Sequence, residues 1–189
     1  MTVDLKEVGR YLLLHGREPD PALARRMSEL RDEVRSSIRP ARVWRRFAIE
    51  EGAIASGGLR LDLSGSISRI VGGCRSAYLA CGTLGAGFDA LHRRVSTVSG
   101  ADALIVQAIG AAAIEAWMDE TEVEISRELA EGESLAARYS PGYGDFPLEA
   151  QRTLLALLDA PRMVGVSLTD SLLMVPSKSV SAIIGVKNG

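Results

Sequence analysis

The sequence predicts a single α+β domain with an antiparallel β-sheet, a C-terminal β-meander and a long central helix. Helical and strand-like patterns are segregated along the chain instead of strictly alternating, which is typical of α+β folds. The chain has 189 residues, of which 47% are hydrophobic, and this is enough to build one sizeable core. Its last part contains three β-rich segments separated by turn residues.

Two amphipathic helices are expected first. Apolar residues recur at helical spacing from Val3 to His15, and Pro21 opens a second helix that continues to about Ile38. We expect residues 1–40 to form the helical part of one domain that spans residues 1–189.

The next part of the chain predicts mostly strands. Arg42 to Ile49 is rich in β-formers, and the stretch from Glu51 to Leu63 indicates a hairpin, followed by a short helix from Ser66 to Gly72. Ala77 to Leu84 reads as a buried strand that leads through a glycine-rich turn into a helix ending near Val95. Because the glycines lack the spacing of a phosphate-binding or dinucleotide-binding loop, the turn is expected to be structural, although a ligand could approach its backbone.

Asp102 to Glu120 is expected to be the longest helix, and its many small residues would let neighbouring elements approach closely. Its uncharged run from Ala103 to Ile114 is shorter than the roughly 20 residues that a membrane span needs. We therefore expect a core helix and no association with a membrane.

The C-terminal part predicts a strand from Leu135 to Tyr139, a turn at Pro141-Gly142, and a helix that Asp145 would cap and that would end before Pro161. Three antiparallel strands are then expected, at Met163 to Leu168, Ser171 to Val175 and Ser179 to Val186.

Charge and cysteine content exclude several classes of function. The net charge is −2, which gives no field favouring nucleic acid or an anionic membrane. Half of the basic residues lie in the first 46 positions, where they could meet an acidic partner or form a solvated helix face. The N-terminus lacks the pattern of a signal or transit peptide, so we expect a cytoplasmic location.

Two cysteines and two histidines are too few and too scattered for a disulfide scaffold or a zinc site, and no nucleophile–base grouping is recognisable. We expect Cys74 and Cys81 to be buried free thiols, and we expect no metal and no catalytic nucleophile.

Glu115 is the most informative charged residue. Helical geometry places it within about 40° of Leu104, Ala108 and Ala111, on a face that we expect to be buried. A buried carboxylate requires a cation. Structural pairing with an arginine such as Arg138, or binding of the amino group of a ligand, would satisfy this requirement equally well.

Arg138 precedes a Pro-Gly turn that presents Tyr143 a few residues later. A guanidinium binds a carboxylate through a planar fork, and an aromatic ring beside it can cover an apolar or cationic part of the same ligand. A surface arginine beside a packed tyrosine would give the same pattern.

Two stretches resemble the signature motifs of the activation domain of cobalamin-dependent methionine synthase. They are Arg138-Tyr139-Ser140-Pro141-Gly142-Tyr143, and Thr169-Asp170-Ser171-Leu172-Leu173-Met174-Val175-Pro176 followed by Ser179-Val180-Ser181. The similarity extends from the helix at Asp102 to Val186, and the earlier half resembles only small stand-alone members of the same family. In that family the domain binds S-adenosylmethionine (SAM) and supports reductive methylation, in which a flavoprotein reduces cob(II)alamin and SAM remethylates it.

The resemblance implies that Arg138 holds the ligand carboxylate, that Tyr143 lines the site and that the backbone at Ser140 contacts the adenosyl group. Glu115 falls at the family's acidic ligand-binding position. The family's N-terminal aspartate has no counterpart, and the chain ends at Gly189, before the segment that supplies a further tyrosine, so we expect part of the family's pocket to be missing.

The chain has neither the Asp-x-His-x-x-Gly corrinoid motif nor the zinc-binding cysteines of a complete methionine synthase. The resemblance therefore implies an accessory domain in methionine biosynthesis, related to a methyltransferase but not a complete enzyme alone. It would bind SAM and support reactivation of a separate corrinoid protein or cobalamin-dependent methyltransferase, with cobalamin only on that partner and a flavoprotein as reductant. The alternative is a docking module for the corrinoid protein that has lost SAM binding.

Overall fold

The computed structural model describes residues 3–188. Its helices are α1 (Leu5–Tyr11), α2 (Pro21–Ser37), α3 (Ser66–Ile70), α4 (Ala86–Ser96), α5 (Gly100–Ser126), α6 (Ala150–Leu157) and α7 (Ala160–Val164). Its strands are β1 (Ala41–Ala48), β2 (Ala53–Ser56), β3 (Leu59–Asp62), β4 (Ser76–Thr83), β5 (Glu133–Leu135), β6 (Ser167–Leu168), β7 (Met174–Val175) and β8 (Ser179–Asn188).

Four strands form an antiparallel sheet in the order β1-β4-β8-β5. The two central strands pair with Leu79 opposite Ile183, and every residue of β4 after Ser76 is buried. Both faces of the sheet are covered, which explains why β4 is a continuous apolar run instead of an alternating one. The predicted buried strand is confirmed.

The two faces of the sheet pack against different helices. On one face, Met118 and Ile125 of α5 contact a cluster that includes Tyr78 and Ile184. The opposite face packs against α3, α6 and α7 through a larger cluster that contains Leu79, Ile183, Ile67 and Leu154.

The N-terminal half of α5 belongs to a helical layer. Val8 of α1, Leu30 of α2 and Phe88 of α4 are buried with Ile109 of α5 in one cluster. Because the two halves of α5 serve the helical layer and the sheet, α5 is the central element of the fold. The α+β fold class with a long central helix is confirmed.

By length and composition, α5 could also cross a membrane, since an 18-residue window of it has a mean hydropathy of 1.3. However, 56% of that window is buried inside the fold, and α5 packs against α1, α2, α4 and the sheet. The core helix of a folded domain meets the same criterion, and this agrees with the expected core helix.

The two N-terminal helices both form, but only α2 matches its predicted range. α2 begins at Pro21 as predicted, because the Asp20 carboxylate accepts hydrogen bonds from the first N–H groups of the helix. α1 is shorter than the predicted segment from Val3 to His15. It ends at Tyr11, because Leu13 adopts a left-handed conformation with φ of 57°.

The glycine-rich turn between β4 and α4 packs against the end of α2. A Cβ atom on Gly87 would lie 2.0 Å from the carbonyl oxygen of Ser37, so only glycine permits this approach. This contact supports the structural interpretation of the turn.

Two local predictions are wrong. Met163 lies in α7 instead of a strand, because Pro161 in the first turn favours a helix there. Asp145 does not cap α6, and its carboxylate accepts the N–H of Ser66 at the start of α3. Of the three predicted C-terminal strands, β6 and β7 form a short hairpin, while β8 lies in the main sheet between β4 and β5.

Candidate functional site: a groove along the central helix

A groove of about 1240 Å³ runs between α4, α5, the loop after β5 and the β6–β7 hairpin. Glu115, Arg138, Ser140 and Tyr143 all line it, so the structure brings the four predicted site residues together. Along α5 the lining runs from Gln107 through Glu115 to Glu122, a length of roughly 22 Å at the rise of an α-helix.

An irregular edge strand directs Arg138 towards α5. Leu135 pairs with Val186 and Tyr139 pairs with Ile183, so the edge strand advances four residues while β8 advances three. One extra residue on an edge strand is the arrangement of a β-bulge, which bends the strand and changes the direction of its side chains.

The guanidinium of Arg138 meets three carboxylates of α5. It donates to Glu115 at 2.8 Å, to Asp119 at 3.2 Å and to Glu122. These acids lie on one face of the helix at positions i, i+4 and i+7. We call Arg138 and these three acids the Arg138 network.

Members of the network differ in exposure. The side chain of Arg138 is 16% exposed, that of Glu122 is 27% exposed and that of Glu115 is 46% exposed. Burial raises the pKa of the Glu122 carboxyl, and this effect outweighs the attraction of Arg138, which lowers the pKa.

The prediction that Glu115 lies on a buried face is wrong in part. Ala108 is buried, but Leu104 on the same face is exposed and the Glu115 side chain is nearly half exposed. The groove runs along α5 beside Glu115, and this leaves the carboxylate partly open to solvent. The carboxylate nevertheless pairs with Arg138, as one of the two interpretations expected.

The loop after Arg138 is held in place by its own turn and by α3. Gly142 has φ of 91°, and its N–H donates to the carbonyl of Phe146 at 2.9 Å. The hydroxyl of Tyr139 lies 2.6 Å from Oγ of Ser66. Hydrogen bonds from Ser66 hold the pKa of the Asp145 carboxyl below its usual value.

This loop places an aromatic pair at the groove. The rings of Tyr139 and Tyr143 lie 6.0 Å apart at a tilt of 53°, and Tyr143 is exposed. The carbonyl of Ser140 accepts the N–H of Tyr143 at 3.3 Å, so part of the Ser140 backbone is used by the turn.

The far end of the groove is polar. Nε2 of His92 lies 3.1 Å from Nε2 of Gln107, and the His92 ring stacks on Phe88. Asp89 accepts hydrogen bonds from the N–H and the hydroxyl of Ser177. At this end the polar side chains are paired, His92 with Gln107 and Asp89 with Ser177. The Arg138 network, which has more acids than bases, lies at the end of the groove that contains the two tyrosines.

Sequence reasoning missed Asp119 and Glu122. Their spacing from Glu115 was a usable signal, because any cation that meets Glu115 from the side of the helix also comes within reach of positions i+4 and i+7. Burial, and secondarily the charge of Glu115, raises the pKa of Tyr11 in α1.

Within residues 3–188, no group of three or more His, Cys, Asp or Glu side chains could hold a metal ion. Cys74 and Cys81 are buried free thiols, as predicted. Burial raises the pKa of the Cys81 thiol to about 12, so the reactive thiolate is scarce near neutral pH.

The family comparison identifies the part of the chain that builds this groove. Residues 107–188 match the model of the vitamin B12-dependent methionine synthase activation domain. The matched residues, somewhat less than half of the chain, are similar to that activation domain. The matched range contains Arg138, its three acidic partners and the aromatic loop, so the groove lies largely within the recognised region.

A solved structure supports the same fold for most of the chain. The crystal structure of the MetH reactivation domain bound to AdoHcy matches with a TM-score of 0.62 and 18% sequence identity, over 89% of this chain and 67% of that chain. No curated protein was found to match this chain in sequence.

Proposed function

We propose that this activation-like domain binds SAM in the groove at Arg138 and presents it for the reductive methylation of a corrinoid on a separate protein. The observation that carries the proposal is the convergence of Glu115 with Arg138, Ser140 and Tyr143 on one groove. These residues come from a helix and from a loop more than 20 positions later in the chain.

Each residue has a role suited to its chemistry. Arg138 would bind the SAM carboxylate through its planar fork, and Glu115 would turn from Arg138 to the amino group of SAM. The exposed ring of Tyr143 would cover the ligand, and the backbone at Ser140 would contact the adenosyl group. The protein would contribute position and charge, because the methyl donor carries its own reactivity.

The partner would be a corrinoid protein or a cobalamin-dependent methyltransferase in methionine biosynthesis, with a flavoprotein as the source of the electron. The partner's corrinoid would supply the cobalt that accepts the methyl group. AdoHcy, the ligand named for the similar MetH domain, is SAM without its methyl group, and this supports a ligand of that class. We further propose that residues 1–189 form one such domain, with residues 1–40 as its helical part, and that it acts in the cytoplasm.

One observation favours a second candidate, a corrinoid-docking module without SAM. The guanidinium of Arg138 already donates to three carboxylates, so a ligand carboxylate must displace at least one of them. If that exchange is too costly, the groove would bind no SAM while the fold keeps its docking surface.

Calorimetric titration of the purified protein with SAM separates the two candidates. We expect saturable heat with one site and a rise in melting temperature, since a ligand that binds only the folded state stabilises it. A saturating titration with neither heat nor thermal shift would favour the docking module.

An assay with homocysteine, SAM and reductant tests the role in reactivation. We expect methionine only when a separate corrinoid protein is supplied, because the reaction needs both substrates aligned with the cobalt. Methionine formed without that protein, at a rate proportional to this chain, would contradict the accessory role.

A further inference from the structure

One residue of α3 contacts the aromatic loop, residues 139–146, at three points. The hydroxyl of Tyr139 lies 2.6 Å from Oγ of Ser66. The carbonyl oxygen of Tyr143 lies 3.1 Å from the same Tyr139 hydroxyl and 3.5 Å from Oγ of Ser66. The carboxylate of Asp145 accepts the backbone N–H of Ser66. We call these contacts, which reach the beginning, the middle and the end of the loop, the Ser66 clamp.

The Ser66 clamp is closely packed and fixed to the core. A Cβ atom on Gly144 would lie 2.7 Å from Oγ of Ser66, and one on Gly65 would lie 2.6 Å from Oδ1 of Asp145, so only glycine permits the approach on both sides. Ile67, the neighbour of Ser66, is fully buried in the cluster that joins α3 to the sheet. Because the core fixes α3, the clamp fixes the loop relative to the sheet.

The Ser66 clamp acts on the part of the loop that borders the groove. The ring of Tyr143 is 64% exposed, so little packing holds the ring itself, and its place depends on the backbone. Ser140 lies between the clamped residues Tyr139 and Tyr143. Ser66 and Asp145 do not line the groove, so they act on a ligand there only through the loop.

We propose that Ser66 and Asp145 are positioning residues that preorganise the aromatic loop for SAM. The inference rests on the proposed function, because it requires Tyr143 and the backbone at Ser140 to contact SAM. A loop that already has its binding conformation loses less conformational entropy when the ligand arrives, so the ligand binds more tightly. Ser66 lies outside residues 107–188, so the loop of the matched region depends on an earlier part of the chain.

Calorimetric titration with SAM compares the wild-type protein with Ser66→Ala and Asp145→Ala. We expect each variant to raise the dissociation constant about three- to tenfold, the factor that corresponds to the loss of one hydrogen bond. Ser68→Ala is the matched control, because the hydroxyl of this serine donates to the carbonyl of Gly65 instead of to the loop. Its dissociation constant should equal that of the wild-type protein.

Asp145→Asn separates position from charge. The asparagine side chain keeps a carbonyl oxygen that accepts the N–H of Ser66, but it has no negative charge. We therefore expect this variant to bind SAM almost as tightly as the wild-type protein. A loss in Asp145→Asn as large as that in Asp145→Ala would mean that the carboxylate acts through its charge, and this would overturn the positioning role.

Amide hydrogen exchange shows whether the Ser66 clamp acts on the loop alone. In ligand-free Ser66→Ala, the N–H groups of Gly142, Tyr143 and Phe146 should exchange faster than in the wild-type protein, because their hydrogen bonds within the loop open more often. Exchange in β4 should stay unchanged, and saturating SAM should slow exchange in the loop. Faster exchange throughout the sheet, with an unchanged dissociation constant, would assign Ser66 to stability alone and overturn the proposal.

The outcomes separate this proposal from the proposed function. Equal dissociation constants for the wild-type protein, Ser66→Ala and Asp145→Ala would overturn the positioning role and leave SAM binding intact. A wild-type protein that binds no SAM would overturn the proposed function and this inference with it.

Discussion

Two nearly buried arginines contact α5 from different parts of the chain, and their side chains are exposed to almost the same degree. Arg42 of β1 is 14% exposed and Arg138 is 16% exposed. Arg42 lies over the ring of Trp117 at 4.1 Å, donates to Thr121 and pairs with one carboxylate, that of Glu124. Arg138 instead has three carboxylates and lines the groove.

The comparison teaches that burial of a charged residue does not by itself indicate function. The charge of Arg42 is balanced and its guanidinium is covered by an indole, which are the features of a structural contact. The Arg138 network combines excess charge with an open groove. A candidate site is therefore recognised by a group of charges that do not balance one another.

The largest expected effect concerns ligand binding. Arg138→Ala should weaken SAM binding by about 1.5–3 kcal/mol, because a charge-assisted contact to the ligand carboxylate is lost. Arg42→Ala should leave the SAM dissociation constant unchanged. Calorimetric titration of both variants checks this, and a similar loss in the two would show that Arg138 acts only through the fold.

The next effect concerns the free energy of unfolding and tests the structural role of Arg42. Arg42→Ala should lower the free energy of unfolding by about 1–2 kcal/mol, because the stacking on Trp117 and the hydrogen bonds to Thr121 and Glu124 are lost. Urea denaturation measures the change. Arg42→Lys is the matched control: it keeps the charge but not the planar stacking, so it should lose less. Full stability in Arg42→Ala would refute the structural role.

The smallest effect is a pH dependence from Glu122. Burial raises the pKa of its carboxyl above the ordinary value of 4.5, so the folded state binds the proton more tightly than the unfolded state. The contribution of Glu122 to stability therefore falls as pH rises from about 4.5 through the folded-state pKa. Denaturation of the wild-type protein and Glu122→Gln at several pH values checks this, and we expect the variant to gain relative stability as pH rises. A constant difference would contradict the raised pKa.

Much of the site could be predicted from the sequence because its motifs are local. The segment from Arg138 to Tyr143 combines a turn and a charged residue within six positions, and helical periodicity led to the expectation that Glu115 needs a cation. Patterns of this kind depend on backbone geometry that the sequence specifies directly. Both predictions led to residues that line one groove.

The remaining features depend on contacts between distant parts of the chain. The extra residue in the edge strand can be recognised only from the pairing of that strand with β8. Asp145 has the sequence context of a cap for α6. Its carboxylate instead accepts the N–H of Ser66 at the start of α3, because the tertiary structure places Ser66 beside it. The exposure of Leu104 likewise follows from which helices leave α5 uncovered.

A crystal structure of the protein with saturating SAM tests the central claim most directly. We predict SAM in the groove, with its carboxylate about 3 Å from the guanidinium of Arg138 and with Glu115 turned towards its amino group. SAM bound elsewhere, or a groove without SAM in which all three carboxylates remain on Arg138, would contradict the account.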